Sequence, residues 1–298
     1  MAMEVGMVVQ SASDAAAEAR HLEALGCDYA CAGEHVSFNV PVGNSFISLA
    51  VAAGATTTIK LMSTIVLTPL YPPALLAKLG AALDVASGGR YNLGVGIGGE
   101  SAAEFEACGV PVRERGARTN EALEIVRLLW STDRAAFDGR FNSFSDVTIA
   151  PRRDRPPPIW VSGRSEAAMR RTARFGDGWL PYMYTPEMFA DSMTKIDVQR
   201  ERDEPVRPGL FIWGCVHEDG DTARRYAIDS LSKTYAQDLA RLVGKYAFAG
   251  TPAEVTARLR EFGAAGVATI IVSFACPRAE MDAVRALFAD QVLPALKS

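Results

Sequence analysis

"PPPIWVSGRSEAAMRRTARFGDGWLP", residues 156–181, holds two apolar bursts with a basic, helix-like stretch between them. Ile159–Ser162 and Gly178–Leu180 have the length and flanking breakers of buried strands. Between them Ser165 is a good helix N-cap, followed by Ala167 and Ala168 and then by Arg170, Arg171 and Arg174. Strand, helix, strand is the parallel crossover unit. The same alternation runs through the chain, with further strands expected at Val5–Val9, Tyr29–Ala32, Ile59–Leu67, Tyr91–Gly96, Gly209–Val216 and Thr269–Ser273. Helices fall between them. Leu75, Leu76, Leu79, Leu83 and Ala86 recur at helical spacing in Ala74–Ala86, as do Leu123, Val126, Leu129 and Trp130 in Glu121–Trp130.

Eight such units in 298 residues is the count of a (β/α)8 TIM barrel, the α/β fold expected here. A doubly wound sheet competes, because one sequence does not reveal strand order. No Gly/Ser linker or shift of composition divides the chain, so residues 1–298 are expected to form a single domain. Two segments exceed what a barrel needs. "FDGRFNSFSDVTIAPRRDRP" (137–156) suggests a small hairpin, an insertion at about 136–157 before the fifth strand. Asp221–Leu242 makes a long helical region, followed by "GKYAFAG".

With 49% hydrophobic residues the chain can bury a large core without disulfide or metal support. A formal charge of −4 and a pI near 5.6 offer no general attraction to nucleic acid or a membrane surface. Cys27, Cys31, Cys108, Cys215 and Cys276 are an odd, scattered set with no CxxC pair. That pattern opposes a disulfide framework or a zinc ribbon and suits a reducing cytoplasm. The start, "MAMEVGMVVQSASD", lacks the features of a signal peptide, and "FISLAVAAGA" is too short to span a bilayer. The expectation is a cytoplasmic homodimer acting on a small molecule, with neither nucleic acid nor membrane as partner.

In a barrel of this kind chemistry sits at the C-terminal ends of the strands. His35 follows Glu34 directly after the second strand, where an imidazole can exchange a proton near neutral pH or serve only as a satisfied rim residue. With His21 and His217 far away in sequence, no metal site is expected. Gly94-Val95-Gly96-Ile97-Gly98-Gly99 has the outline of a dinucleotide fingerprint, with Glu114 downstream. The context opposes that: the glycines begin inside the strand, and Glu114 opens a helix. Two readings remain, a strand stripped of side chains so that a flat ring can lie on it, or a packing and barrel-bend cluster. At Gly163-Arg164-Ser165 a strand gives way to a helix start, which can seat a phosphate or be an ordinary cap. Phe38, Tyr71, Met183, Tyr184 and Trp213 could line an apolar pocket or pack as core and rim.

"SGGRYNLGVGIGGESAAEFEACGVPVRERGARTNEALEIVRLLW" (87–130) and the 156–181 stretch together resemble the luciferase-like monooxygenase family of flavin and deazaflavin enzymes. "YACAGEHV", "IKLMSTIVLTPLYPPALLAKLGAALDVASGGR" and "GTPAEVTARLREFGAAGV" agree, so the resemblance covers nearly the whole chain. It implies a barrel with an insertion that binds coenzyme F420 or FMN at its C-terminal face. The cofactor ring would lie by Thr64, Ile65, Val66 and Leu67 and by Gly96, Ile97 and Gly98. The phosphate would sit at Gly163, Arg164 and Ser165, with His35 as the catalytic residue. A non-proline cis peptide at or next to Ile65-Val66 is implied as well.

One departure stands out. Deazaflavin sugar-phosphate dehydrogenases of the family carry a catalytic glutamate after these glycines, where this chain has Gly99, with Glu100 one residue on. The sugar-phosphate activity is therefore not carried over; similarity to the F420-dependent members makes the expected function hydride transfer between F420 and an unspecified small organic substrate, with FMN-dependent monooxygenation as the alternative. A non-catalytic flavin-binding protein is a third reading. An isomerase or aldolase on the same fold would want a lysine or paired carboxylates at strand ends, and Lys60 opens the third strand at the wrong end.

Overall fold

The structure is a computed structural model and describes residues 2–10 and 13–298; Met1, Ser11 and Ala12 lie outside it. Its strands are β1 (Glu4–Val8), β2 (Tyr29–Ala32), β3 (Lys60–Ser63), β4 (Val66–Leu67), β5 (Tyr91–Gly96) and the hairpin pair β6 (Ala135–Asp138) and β7 (Ser143–Val147). They continue with β8 (Ile159–Val161), β9 (Gly178–Trp179), β10 (Arg207–Val216), β11 (Phe248–Gly250) and β12 (Thr269–Phe274). Hydrogen-bonded neighbours follow the order β1, β2, β3, β5, β8, β9, β10, β12, and β12 pairs with β1 again. The β9–β10 pairing closes the ring. All of these pairings are parallel, so the fold is an eight-stranded (β/α)8 barrel and not a doubly wound sheet.

Tyr29, Cys31, Met62, Trp160, Leu180 and Ile271 form a separate buried cluster. They come from opposite sides of the ring and can meet only inside the barrel. This cluster fills the barrel interior below the strands' C-terminal ends. A much larger apolar cluster packs the outer helices on the sheet, with Leu22, Leu49, Leu76, Leu123 and Phe189 among its fully buried members.

Three local expectations need correcting. The third strand is not continuous over Ile59–Leu67: it breaks into β3 and β4 around a non-proline cis bond at Thr64-Ile65. The buried Glu34 carboxylate accepts the Leu67 N–H at 3.0 Å and so anchors the second half. The helical region after β10 is also broken. Gly220–Tyr235 ends at Ala236, whose φ of 52° is left-handed, and a second helix covers Ala240–Tyr246. Finally, "YAFAG" supplies β11, which pairs with the end of β10 beyond the reach of the short β9. The hairpin expected before the fifth strand is present as β6–β7.

The glycines of β5 have a steric cause. A Cβ on Gly94 would lie 1.9 Å from the Ser63 carbonyl oxygen, and one on Gly96 would lie 2.1 Å from Ile65 Cδ1. The missing side chains let the β3–β4 segment press inward against β5. Gly94→Ala must push backbone aside, and such overpacking costs roughly 1–3 kcal/mol. We expect its melting temperature to fall by about 2–5 °C in a circular dichroism melt. An unchanged melt would mean that Ser63 can retreat freely.

Candidate active site

The C-terminal ends of the eight barrel strands open into one cavity of about 1710 Å³, from Val8 of β1 round to Ser273 of β12. Its size exceeds that of ordinary single-ligand clefts, leaving room for a cofactor and a second molecule together.

His35 stands on the rim of this cavity, directly after β2. Its Nδ1 lies 3.2 and 3.3 Å from the two carboxylate oxygens of Glu104. Glu104 is fully buried, comes from the helix Ala102–Ala107, and also accepts the Val36 N–H at 3.1 Å. A carboxylate at Nδ1 favours the tautomer with its proton there, which leaves Nε2 as the acceptor nitrogen. Nε2 has Glu100 4.0 Å away, and Glu100 in turn accepts the Tyr182 hydroxyl at 2.9 Å. Burial, together with the neighbouring Glu100 charge, pushes the Tyr182 phenol up to about 12, so it remains a donor at neutral pH. The His35 ring is stacked on Phe38 at 4.1 Å.

Glu34 borders the same cavity. It is buried and accepts from Ser45, Asn44 and Tyr71 as well as from Leu67, which ties the helix Ser45–Ala55 to β4. Its work is structural.

Thr64, Ile65, Gly96, Ile97 and Gly98 all line the cavity. Val66 does not: it is fully buried in the core, paired with Val95 of β5. The hydroxyl oxygen of Thr64 is buried with no hydrogen-bond partner, which a bound polar group would supply. Gly163, Arg164 and Ser165 line the cavity at the end of β8. Gly163 has a φ of 124°, and a Cβ there would meet Ala168 at 2.8 Å. The Ser165 hydroxyl accepts the Ala168 N–H at 3.2 Å and caps the helix Glu166–Phe175. The N–H groups ahead of it have no intrahelical acceptor, which is the arrangement that can offer an anion a seat.

Arg171 lies behind that seat and was not singled out by the sequence reading. It lines the cavity at only 6% exposure. Its guanidinium donates to Asn120 Oδ1 at 2.7 Å and to the Gly116 carbonyl at 3.3 Å, and among the described residues no carboxylate pairs with it. Burial, reinforced by neighbouring Arg170, lowers it to about 10, still charged at neutral pH. A buried cation without a counter-charge is costly unless an anionic partner offsets it. Glu104 was missed in the same way, since nothing local in the short helix Ala102–Ala107 shows that it meets His35. Of the aromatic residues named from sequence, Phe38 and Trp213 reach the cavity. Tyr71 and Tyr184 are instead taken up by hydrogen bonds to Glu34 and to the Arg164 carbonyl, and Met183 borders a smaller recess beside Arg164.

Comparison with known proteins places this geometry. Residues 2–269 match the luciferase-like monooxygenase family model. An uncharacterized protein of Mycobacterium tuberculosis is 33% identical over 182 residues, 61% of this chain and 62% of the relative. An F420-dependent glucose-6-phosphate dehydrogenase of Beutenbergia cavernae is 40% identical over 134 residues, 43% of this chain and 39% of that enzyme. The chain thus spans less than two thirds of the length of these relatives. The fold matches an F420-dependent secondary alcohol dehydrogenase solved with an F420-acetone adduct, with a TM-score of 0.87 over the whole of both chains at 19% identity. From the residue 2–269 match, with the barrel and the cavity at its mouth, the chain belongs to the luciferase-like monooxygenase family of F420- and FMN-dependent oxidoreductases.

Proposed function

We propose that this protein uses coenzyme F420 to pass a hydride to or from a small organic substrate. The observation that carries the reading is Arg171, a buried guanidinium with no carboxylate partner behind the Gly163–Ser165 seat. Arg171, Arg164 and the free N–H groups of the helix start would hold the cofactor phosphate. Thr64, Ile65, Gly96, Ile97 and Gly98 would back its ring, with the unpartnered Thr64 hydroxyl available to a polar edge. Bound there, a deazaflavin supplies hydride chemistry with little reactivity toward oxygen.

The chain's own part is proton handling and exclusion of water. His35 Nε2 gives or takes the proton that accompanies the change at the substrate, and Glu104 orients the ring. The Tyr182–Glu100 pair closes one side of the site. Two features favour F420 over FMN. The F420-dependent dehydrogenase of B. cavernae is among the relatives. In addition, Arg164 and Ser165 are exposed at the rim, so a phosphate seated there can carry a further substituent out to solvent. F420 has such a phosphodiester tail, whereas the FMN phosphate is terminal.

Paired titrations of the purified full chain with F420 and FMN, followed by absorbance and fluorescence, test this directly. We expect the tighter binding from F420. Tighter FMN binding, with oxygen consumed on reduction, would make the protein a flavin monooxygenase.

A further inference from the structure

The long helix after β10 has no part in the seat or the proton path, yet its last two turns, from Asp229 to Tyr235, line the cavity. Tyr235 closes the helix Gly220–Tyr235 immediately before the left-handed Ala236. The Asn39 side chain donates to the Thr234 carbonyl at 3.3 Å, tying this helix end to the loop that carries His35 and Phe38. Phe38 meets Tyr235 edge-on at 6.0 Å and 87°, Tyr235 meets Trp213 at 6.4 Å and 88°, and Trp213 meets Phe211 at 5.3 Å and 78°. His35, stacked on Phe38, completes an unbroken run of rings.

All five line the cavity, and each keeps part of its surface uncovered. Trp160, Trp179 and Phe189, by contrast, are fully buried and serve as core. Rings left open toward a cavity are surface waiting for a ligand.

Position in the ring of strands says which ligand this is. β10, which carries Phe211 and Trp213, lies four strands from β3 in either direction around the barrel. The aromatic wall therefore faces the Thr64–Ile65 side, against which the cofactor ring is placed. A molecule lying between the two would be held flat, with His35 at its edge.

We infer that the His35–Phe38–Tyr235–Trp213–Phe211 wall selects a flat aromatic or conjugated substrate. This rests on the redox reading of the cavity above. Such a molecule gains offset-stacked and edge-on ring contacts that a saturated ring of the same size does not. The probes are 2-naphthol and decahydro-2-naphthol, which share size and hydroxyl position, while the saturated one is the more hydrophobic. Titrated calorimetrically into the full chain, with and without F420, 2-naphthol is expected to bind about fivefold more tightly. Tyr235→Leu and Trp213→Leu should each reduce that preference while leaving F420 affinity unchanged. Equal binding of the two probes, no binding of either, or a preference that survives both substitutions would overturn the inference. Loss of F420 binding by the unaltered chain would instead strike at the redox reading and leave the aromatic preference measurable on its own.

Discussion

Replacing His35 with asparagine is expected to lower turnover by about 10²–10⁴-fold, the usual contribution of a positioned proton donor. Asparagine is chosen because of Glu104. That carboxylate is fully buried, and its contacts are His35 Nδ1 and the Val36 N–H. An alanine at position 35 would leave it short of a donor and destabilise the fold for reasons unrelated to catalysis. An asparagine amide can still donate to Glu104, but it cannot exchange a proton. The variant should keep its melting temperature and its cofactor affinity while losing rate. Glu104→Gln supplies the companion test, because an amide there no longer fixes the proton on Nδ1. It should lower turnover less than His35→Asn does and displace the rate–pH profile. A profile that stays in place would mean that Glu104 only packs. Full activity of His35→Asn would return His35 to the role of a rim residue.

Arg171→Gln should weaken cofactor binding by about tenfold to a hundredfold, the worth of a lost charge-assisted hydrogen bond. The same substitution should leave the melting temperature of the cofactor-free protein unchanged or raise it. Burying a guanidinium without a carboxylate partner costs stability, and glutamine keeps a donor for Asn120 without the charge. A structural arginine would behave in the opposite way, losing stability and sparing affinity. Arg164→Glu, at the exposed rim, should also weaken binding by about tenfold, and its effect should shrink at high salt because the site is wet. Unchanged affinity in both variants would move the phosphate away from the end of β8.

Much of this was available in the residue order. Strand and helix periods, the cap at Ser165 and the glycine run of β5 are local features, each set by neighbours within a few residues, and they suffice for eight units and a barrel. The position of His35 after β2 is equally local. What the sequence left open was everything that depends on two distant segments meeting. The β5 glycines could be a bed for a ring or a packing device; Ser63 and Ile65 pressing on Gly94 and Gly96 show the packing role, while Gly96, Ile97 and Gly98 still line the cavity. Glu104 has meaning only because the helix after β5 folds back beneath His35. In the sequence Arg171 is one of three arginines on a basic helix, and Tyr235 lies in the interior of a longer helical region. Their roles come from burial and from the absence of a partner, which are properties of the folded surroundings. Local chemistry decides where a strand ends and a helix begins; only the closed barrel decides which charge is left uncompensated and which rings face the same empty space.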